Sequence, residues 1–212
     1  MLDIPTGANL KTFVQQYIGC EMSETSKNEG YLTGQLLVAM PQMLDERFST
    51  SVIYLCAHTE DGAMGLVVNK LLENVDLPDL LKQLDLEPDL KGVGIRVHFG
   101  GPVESGRGFV LHSGDYIQDA TMVINDHIAL TATTDVLRDI AAGDGPQNSF
   151  FALGYAGWGP GQLDAEIQAN GWLSLEADNS LVFGRDPKTV WQSALAKMGI
   201  DISMLSGDAG HA

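Results

Sequence analysis

A chain of 212 residues with 28 acidic against 12 basic side chains carries a formal charge of −16. Its composition, 44% hydrophobic and 19% charged, is that of a folded globular protein, and the length supports one sizeable core without metals or a disulfide framework. The charge argues against direct nucleic-acid or anionic-membrane binding, and no apolar run reaches the roughly 18 residues of a spanning helix. The start of the chain lacks the basic and apolar regions of an export signal, and the two cysteines, Cys20 and Cys56, read as reduced thiols, so a cytoplasmic location is expected.

Residues 1–30 read as an extension, mobile or docked on the surface. Asn9 to Ile18 has helical spacing, and Cys20 to Gly30 has the polar composition of a linker. From Tyr31 the signals become dense. Leu36 to Met40 is an apolar run stopped by Pro41. Ser51 to His58 and Met64 to Asn69 read as two strands joined by the turn Glu60-Asp61-Gly62. Leu77, Leu80, Leu81 and Leu84 recur at helical spacing behind the cap Asp76 and Pro78. Ile95 to Phe99 and Phe109 to His112 are expected strands either side of Gly100-Gly101-Pro102. Met122 to Asn125 and Ile128 to Thr131 flank a turn at Asn125-Asp126-His127.

Thr133 or Thr134 can cap a helix carrying Val136, Leu137 and Ile140, with Gly143 suited to its left-handed end. Gln162 to Asn170 follows a glycine-rich loop as a helix, and Asp186 and Pro187 open another that runs to Gly199. Phe150 to Tyr155, Trp172 to Leu175 and Leu181 to Phe183 read as further strands. Strands in clusters broken by single helices predict an α+β fold with a mixed sheet. The expected organisation is one domain over 31–205 and a flexible tail over 206–212.

Chemistry is sparse in the pattern. In Gly157-Trp158-Gly159-Pro160-Gly161-Gln162 a strand runs through alternate glycines into a helix. Such a corner can present backbone N–H groups to an anion, or it can be a sharp turn plugged by Trp158. Its spacing matches neither the P-loop nor the dinucleotide fingerprint. Gly100, Gly101 and Arg107 admit a second small anion site or a wide hairpin connection. Cys56 and His58, two apart on one strand, would share a face, as a reactive thiol beside an imidazole or as buried neighbours. His58, Asp61, His98, His112 and His127 show no metal-ligand spacing, Ser105 lacks the nucleophile-elbow glycine, and Asp45-Glu46-Arg47 reads as a surface turn. Neither a metal nor a cofactor is expected.

Several ordered blocks resemble the YqgE/AlgH family. They are Gly34-Gln35-Leu36-Leu37-Val38-Ala39-Met40-Pro41, Gly62-Ala63-Met64-Gly65-Leu66-Val67-Val68-Asn69, His98-Phe99-Gly100-Gly101-Pro102-Val103, Gly108-Phe109-Val110-Leu111-His112-Ser113, and Gly154 through Leu163. The resemblance spans about residues 31–200. It implies a bacterial, single-domain α+β protein whose mostly antiparallel, bent sheet curls into a pseudo-barrel with flanking helices. It also implies an association with transcriptional regulation, but no reaction. With this charge, regulation is expected to be indirect, through a protein partner or a small anionic ligand. The leading expectation is a non-enzymatic binding or regulatory protein, whose ligand surface gathers the Gly157–Gln162 loop, the Gly100–Val103 connection and the strand edge near Cys56 and His58. The alternative is a thiol-dependent or hydrolytic enzyme using Cys56 and His58.

Overall fold

The computed structural model describes residues 31–73, 75, 96–184 and 186–200. The expected extension over 1–30 with Cys20, the helix behind Asp76 and the tail over 206–212 lie outside the described residues.

β1 (Gln35–Ala39), β2 (Val52–Thr59) and β3 (Gly62–Val67) form an antiparallel meander, with Glu60 and Asp61 as the two-residue turn between β2 and β3. β4 (Val97–Phe99) is short, and β5 (Val103–Ser113) begins well before the expected Phe109. β6 (Thr121–Val123) and β7 (Ile128–Thr131) form a hairpin. Its turn is set by Asn125, whose Oδ1 accepts the backbone N–H groups of His127 and Ile128. Helix α1 (Thr134–Ala142), β8 (Ser149–Trp158), α2 (Gln162–Gln168), β9 (Trp172–Glu176), α3 (Asn179–Val182) and α4 (Pro187–Lys197) complete the described elements.

The strand order is β6-β7-β5-β8-β3-β2-β1-β9, with β4 paired to β8 off this path. Among the described strands all pairings are antiparallel except β4 with β8, so the sheet is mixed but mostly antiparallel. β8 is where it divides. Phe151 to Leu153 lie between β4 and β5, whereas Ala156 to Trp158 pair with β3. Between these halves Gly154 takes φ +70°, and a Cβ there would lie 2.4 Å from the Gly101 carbonyl oxygen. Only glycine allows both the turn of the strand and that approach. The sheet curls into a half-barrel, and the Asn125 Nδ2 donates to the Tyr54 hydroxyl at 3.1 Å, joining the β6–β7 hairpin to β2.

The hollow of the curl is filled by α3 and α4. Leu181, Val182, Val190, Trp191, Ala194 and Leu195 pack with Leu36, Tyr54, Met64, Phe109 and Phe150. Trp191 donates its indole N–H to the Ala39 carbonyl at 2.8 Å, tying α4 to β1. On the outer surface, Val136, Leu137 and Ile140 of α1 pack on Val97, Val110 and Phe151, and Leu163 of α2 joins Leu37, Ile53 and Trp172.

Boundary chemistry accounts for the helices. Asp186 accepts from the Lys188 N–H and precedes Pro187, as expected for α4. Gly143 closes α1 at φ +87°; Thr133 is its N-cap by position, without a side-chain hydrogen bond. The expected strand over Leu181 to Phe183 is instead the end of α3. Asp178 accepts from the Ser180 N–H and starts a helical turn, so both Leu181 and Val182 face the core. A three-residue apolar run has no period of its own, and the cap decided the outcome.

Candidate functional site

The glycine-rich corner after β8 is held together by one carboxylate. Glu166, one turn into α2, accepts both buried indole N–H groups on its Oε2: Trp172 at 2.8 Å and Trp158 at 3.0 Å. Its Oε1 accepts from the Gln162 amide at 2.9 Å, and the Gln162 Oε1 in turn accepts the Gly159 N–H at 3.1 Å. Trp158 and Trp172 meet edge to face at 6.0 Å. Trp158 thus sits as a plug beneath α2, and one amide of the loop is already bonded within it. α2 has seven residues, too short for a strong terminal field. Gly161, at φ +67°, has open space where a Cβ would stand.

Gly100 and Gly101 lie against the backbone of β8. A Cβ on Gly100 would fall 2.1 Å from the Gly154 oxygen, and one on Gly101 would fall 2.1 Å from the Tyr155 carbonyl carbon. These glycines permit chain to cross chain. Nearby, Arg107 faces Glu104 at 3.3 Å and lies over the Phe109 ring at 5.6 Å.

Cys56 and His58 fall on opposite faces of β2, contrary to the expectation from their spacing. The β2–β3 register shifts between Leu55 and Ala57, so Cys56 and Ala57 both join the core inside the curl. His58 pairs with Ala63, which belongs to the outer core beneath α2. One extra residue in a strand reverses the alternation beyond it. The Cys56 thiol, 1% exposed, donates to the Tyr54 carbonyl at 3.8 Å, and burial pushes its pKa well above the ordinary thiol range.

His58 is engaged at both nitrogens. Nδ1 accepts the Leu32 N–H at 3.2 Å, which places the proton on Nε2, 3.6 Å from the Asp164 carboxylate. The His58 N–H donates to the Thr33 hydroxyl, and the Tyr31 ring meets the imidazole edge at 5.2 Å. His58 therefore anchors the segment that leads into β1.

His112 is also internally satisfied. Its Nδ1 lies 3.0 Å from the Ser113 carbonyl and its Nε2 2.9 Å from the Thr131 hydroxyl, which contacts the Thr121 hydroxyl at 2.9 Å. Among the described residues no group of three His, Cys, Asp or Glu side chains is placed to hold a metal ion.

A cavity of about 160 Å³ opens elsewhere, where the half-barrel meets its helical filling. Val68, Arg96, His98, Ser149 and Phe150 form the sheet side, and Leu181, Val182, Phe183, Pro187 and Val190 form the helix side. His98 is 5% exposed and lies against Phe150 with ring centroids 4.3 Å apart. Burial, with the Arg96 charge adding to it, lowers its pKa to about 4, against a bond to the Val68 backbone that favours the charged form. The ring is therefore neutral near pH 7, and its Nδ1 is buried with no hydrogen-bond partner. Arg96 is exposed and stands at the solvent side of the wall. A second, shallower cleft of about 370 Å³ runs along Gln118, Asp119, Ala120, Thr133 and Asp135, an acidic surface.

The first cavity contains none of the site residues expected from the sequence. Its walls come from four separated stretches of chain, and no local motif links Arg96 to Ser149 or Phe183. The Gly157–Gln162 loop and His58 do come together, through Asp164 and α2, and Val103 approaches Gly157 from the Gly100 connection. Cys56 lies apart from them, inside the curl.

A family model described as AlgH-like matches residues 36–203. A UPF0301 protein of Rhodospirillum rubrum is 55% identical over 186 residues, covering 88% of this chain and 97% of its own length. A UPF0301 protein of a Methylobacterium species is 56% identical over 191 residues, covering 86% of this chain and 91% of its own. Among solved structures, the solution structure of the AlgH protein from Pseudomonas aeruginosa superposes with a TM-score of 0.71 at 41% identity, covering 90% of this chain and 100% of that one. A crystal structure of a Corynebacterium diphtheriae protein shares the fold at a TM-score of 0.63 and 18% identity, over 91% of this chain and 97% of that one.

Proposed function

The chain belongs to the AlgH-like family, for which no biochemical activity is established, and we propose that it is a non-enzymatic, cytoplasmic binding protein that regulates indirectly. The observation that carries this reading is the cavity between the sheet and α3–α4. A ligand there touches the strand edge and the helical filling at once, so its presence is felt by the element that ties α4 to β1. A net charge of −16 supports an effect relayed through a ligand or a protein partner over a direct grip on DNA. The Gly157–Gln162 corner, with its exposed glycines, is the surface best placed to meet such a partner.

The thiol-enzyme alternative receives little support from a sulfhydryl that is sealed in the core and faces away from His58. Two measurements on the full chain test the reading. A thermal-shift panel of small metabolites should contain a compound that raises the melting temperature in proportion to the logarithm of its concentration. Iodoacetamide with peptide mapping, which separates Cys56 from Cys20, should label Cys56 only after denaturation. Rapid labelling of native Cys56, with turnover lost in Cys56→Ser, would establish the enzyme instead.

A further inference from the structure

Resting on that reading of the cavity, we propose that its ligand is a small monocarboxylate with an apolar body about the size of a benzene ring. The carboxylate would sit on Arg96 at the mouth, and the body between Phe150 and Phe183, Leu181 and Val190. Three observations converge on this class.

The first is size. The cavity, at about 160 Å³, is comparable to the engineered cavity of roughly 150 Å³ that holds benzene, and it falls below the roughly 300 Å³ at which pockets for drug-sized ligands and cofactors begin. Nucleotides are too large to be enclosed by it.

The second is charge. Among the described arginines, Arg47 faces Asp45, Arg107 faces Glu104 and Arg138 faces Asp135. Arg96 has no such partner among the described residues and lines the cavity instead, where no described lining residue carries a carboxylate. In a chain with more than twice as many acids as bases, a guanidinium with no carboxylate partner among the described residues is a specific arrangement. Its planar fork suits a carboxylate held by two parallel hydrogen bonds. One cation balances one negative charge. A phosphate dianion would bring a second charge with no second cation among the described lining residues to offset it.

The third is the neutral wall. The Nδ1 of the neutral His98 is a buried acceptor without a donor. That atom is sealed from solvent and is not presented to the ligand, and the neutral ring adds no second positive charge to that of Arg96.

The test uses the full chain, with binding read by titration calorimetry and by NMR shifts of the His98 ring protons. Benzoate should bind with a dissociation constant of about 1 mM or below. Benzyl alcohol, of the same shape without charge, and inorganic phosphate should each bind at least about tenfold more weakly than benzoate. Arg96→Gln, at an exposed position, should retain the wild-type melting temperature and weaken benzoate binding by about tenfold or more. Absence of benzoate binding up to about 10 mM would overturn the assignment, as would an unchanged constant in Arg96→Gln or tighter binding of phosphate. If those results came with a panel compound that stabilises the wild type and Arg96→Gln equally, the carboxylate assignment alone would fail. If no panel compound bound either, the binding-protein reading would fail with it.

Discussion

Glu166 shows how one side chain can decide the character of a loop. As an acidic residue near a helix start it would be expected to compete with a bound anion, yet it takes the N–H groups of two buried indoles. Glu166→Ala leaves both donors buried and unpaired, so it should destabilise the protein by about 3 kcal/mol in urea unfolding. Glu166→Gln, which keeps an acceptor oxygen, should cost less than half of that. The residue types that mattered locally were legible in the sequence: Asp186 before Pro187, Gly143 after α1, Asn125 in its turn. His98 was visible only as one of several scattered histidines, because its burial, its stacking on Phe150 and its charged neighbour all depend on chains brought together from far away.

At the scale of elements, β8 organises the molecule by belonging to two halves of one sheet. Its bend needs Gly154 for two separate reasons, the left-handed backbone and the approach of Gly101. Gly161 shares the first property, at φ +67°, but has nothing within 4 Å of where a Cβ would be. Gly161→Ala should therefore cost about 1 kcal/mol, the backbone term alone, while Gly154→Ala should cost at least about 2 kcal/mol more. Equal losses in chemical denaturation would show that the crossing of the two chains contributes nothing. Strand existence was readable from β-branched and aromatic runs, and among the described residues the expected helices at Thr134–Ala142, Gln162–Gln168 and Pro187–Lys197 were placed within about two residues. The failures came where tertiary pairing overrides pattern. The bulge at Cys56 turned His58 to the other face, and the Asp178 cap made a helix of an apolar triplet.

For the whole molecule, the buried histidines set the response to acid. Burial lowers the pKa of His58, His98 and His112, so the folded protein holds them neutral while the unfolded chain takes up protons below about pH 6.5. Stability is flat with respect to these groups above that pH and falls as the pH drops from about 6.5 toward their folded values. His98, at about 4, accounts for roughly 2 kcal/mol of the loss between pH 7 and 5. The Asp178 carboxyl, held down to about 2 chiefly by its bond to Lys197, releases its share only below about pH 4, outside this window. Urea midpoints at pH 7 and 5 should differ clearly in the wild type, and the difference should shrink in His98→Gln. An unaltered pH dependence in that variant would mean that His98 is protonated in the fold without penalty.

The sequence by itself determined the class of fold, the acidic character and most element boundaries, because periodicity, caps and turn residues act over a few neighbours. It also carried the family, through ordered blocks spread along the domain. Tertiary structure alone decided which residues share a cavity and which histidines are spent on holding the chain together. Both depend on strand register and on the curl of the sheet, and these are settled by contacts between residues that no local spacing relates.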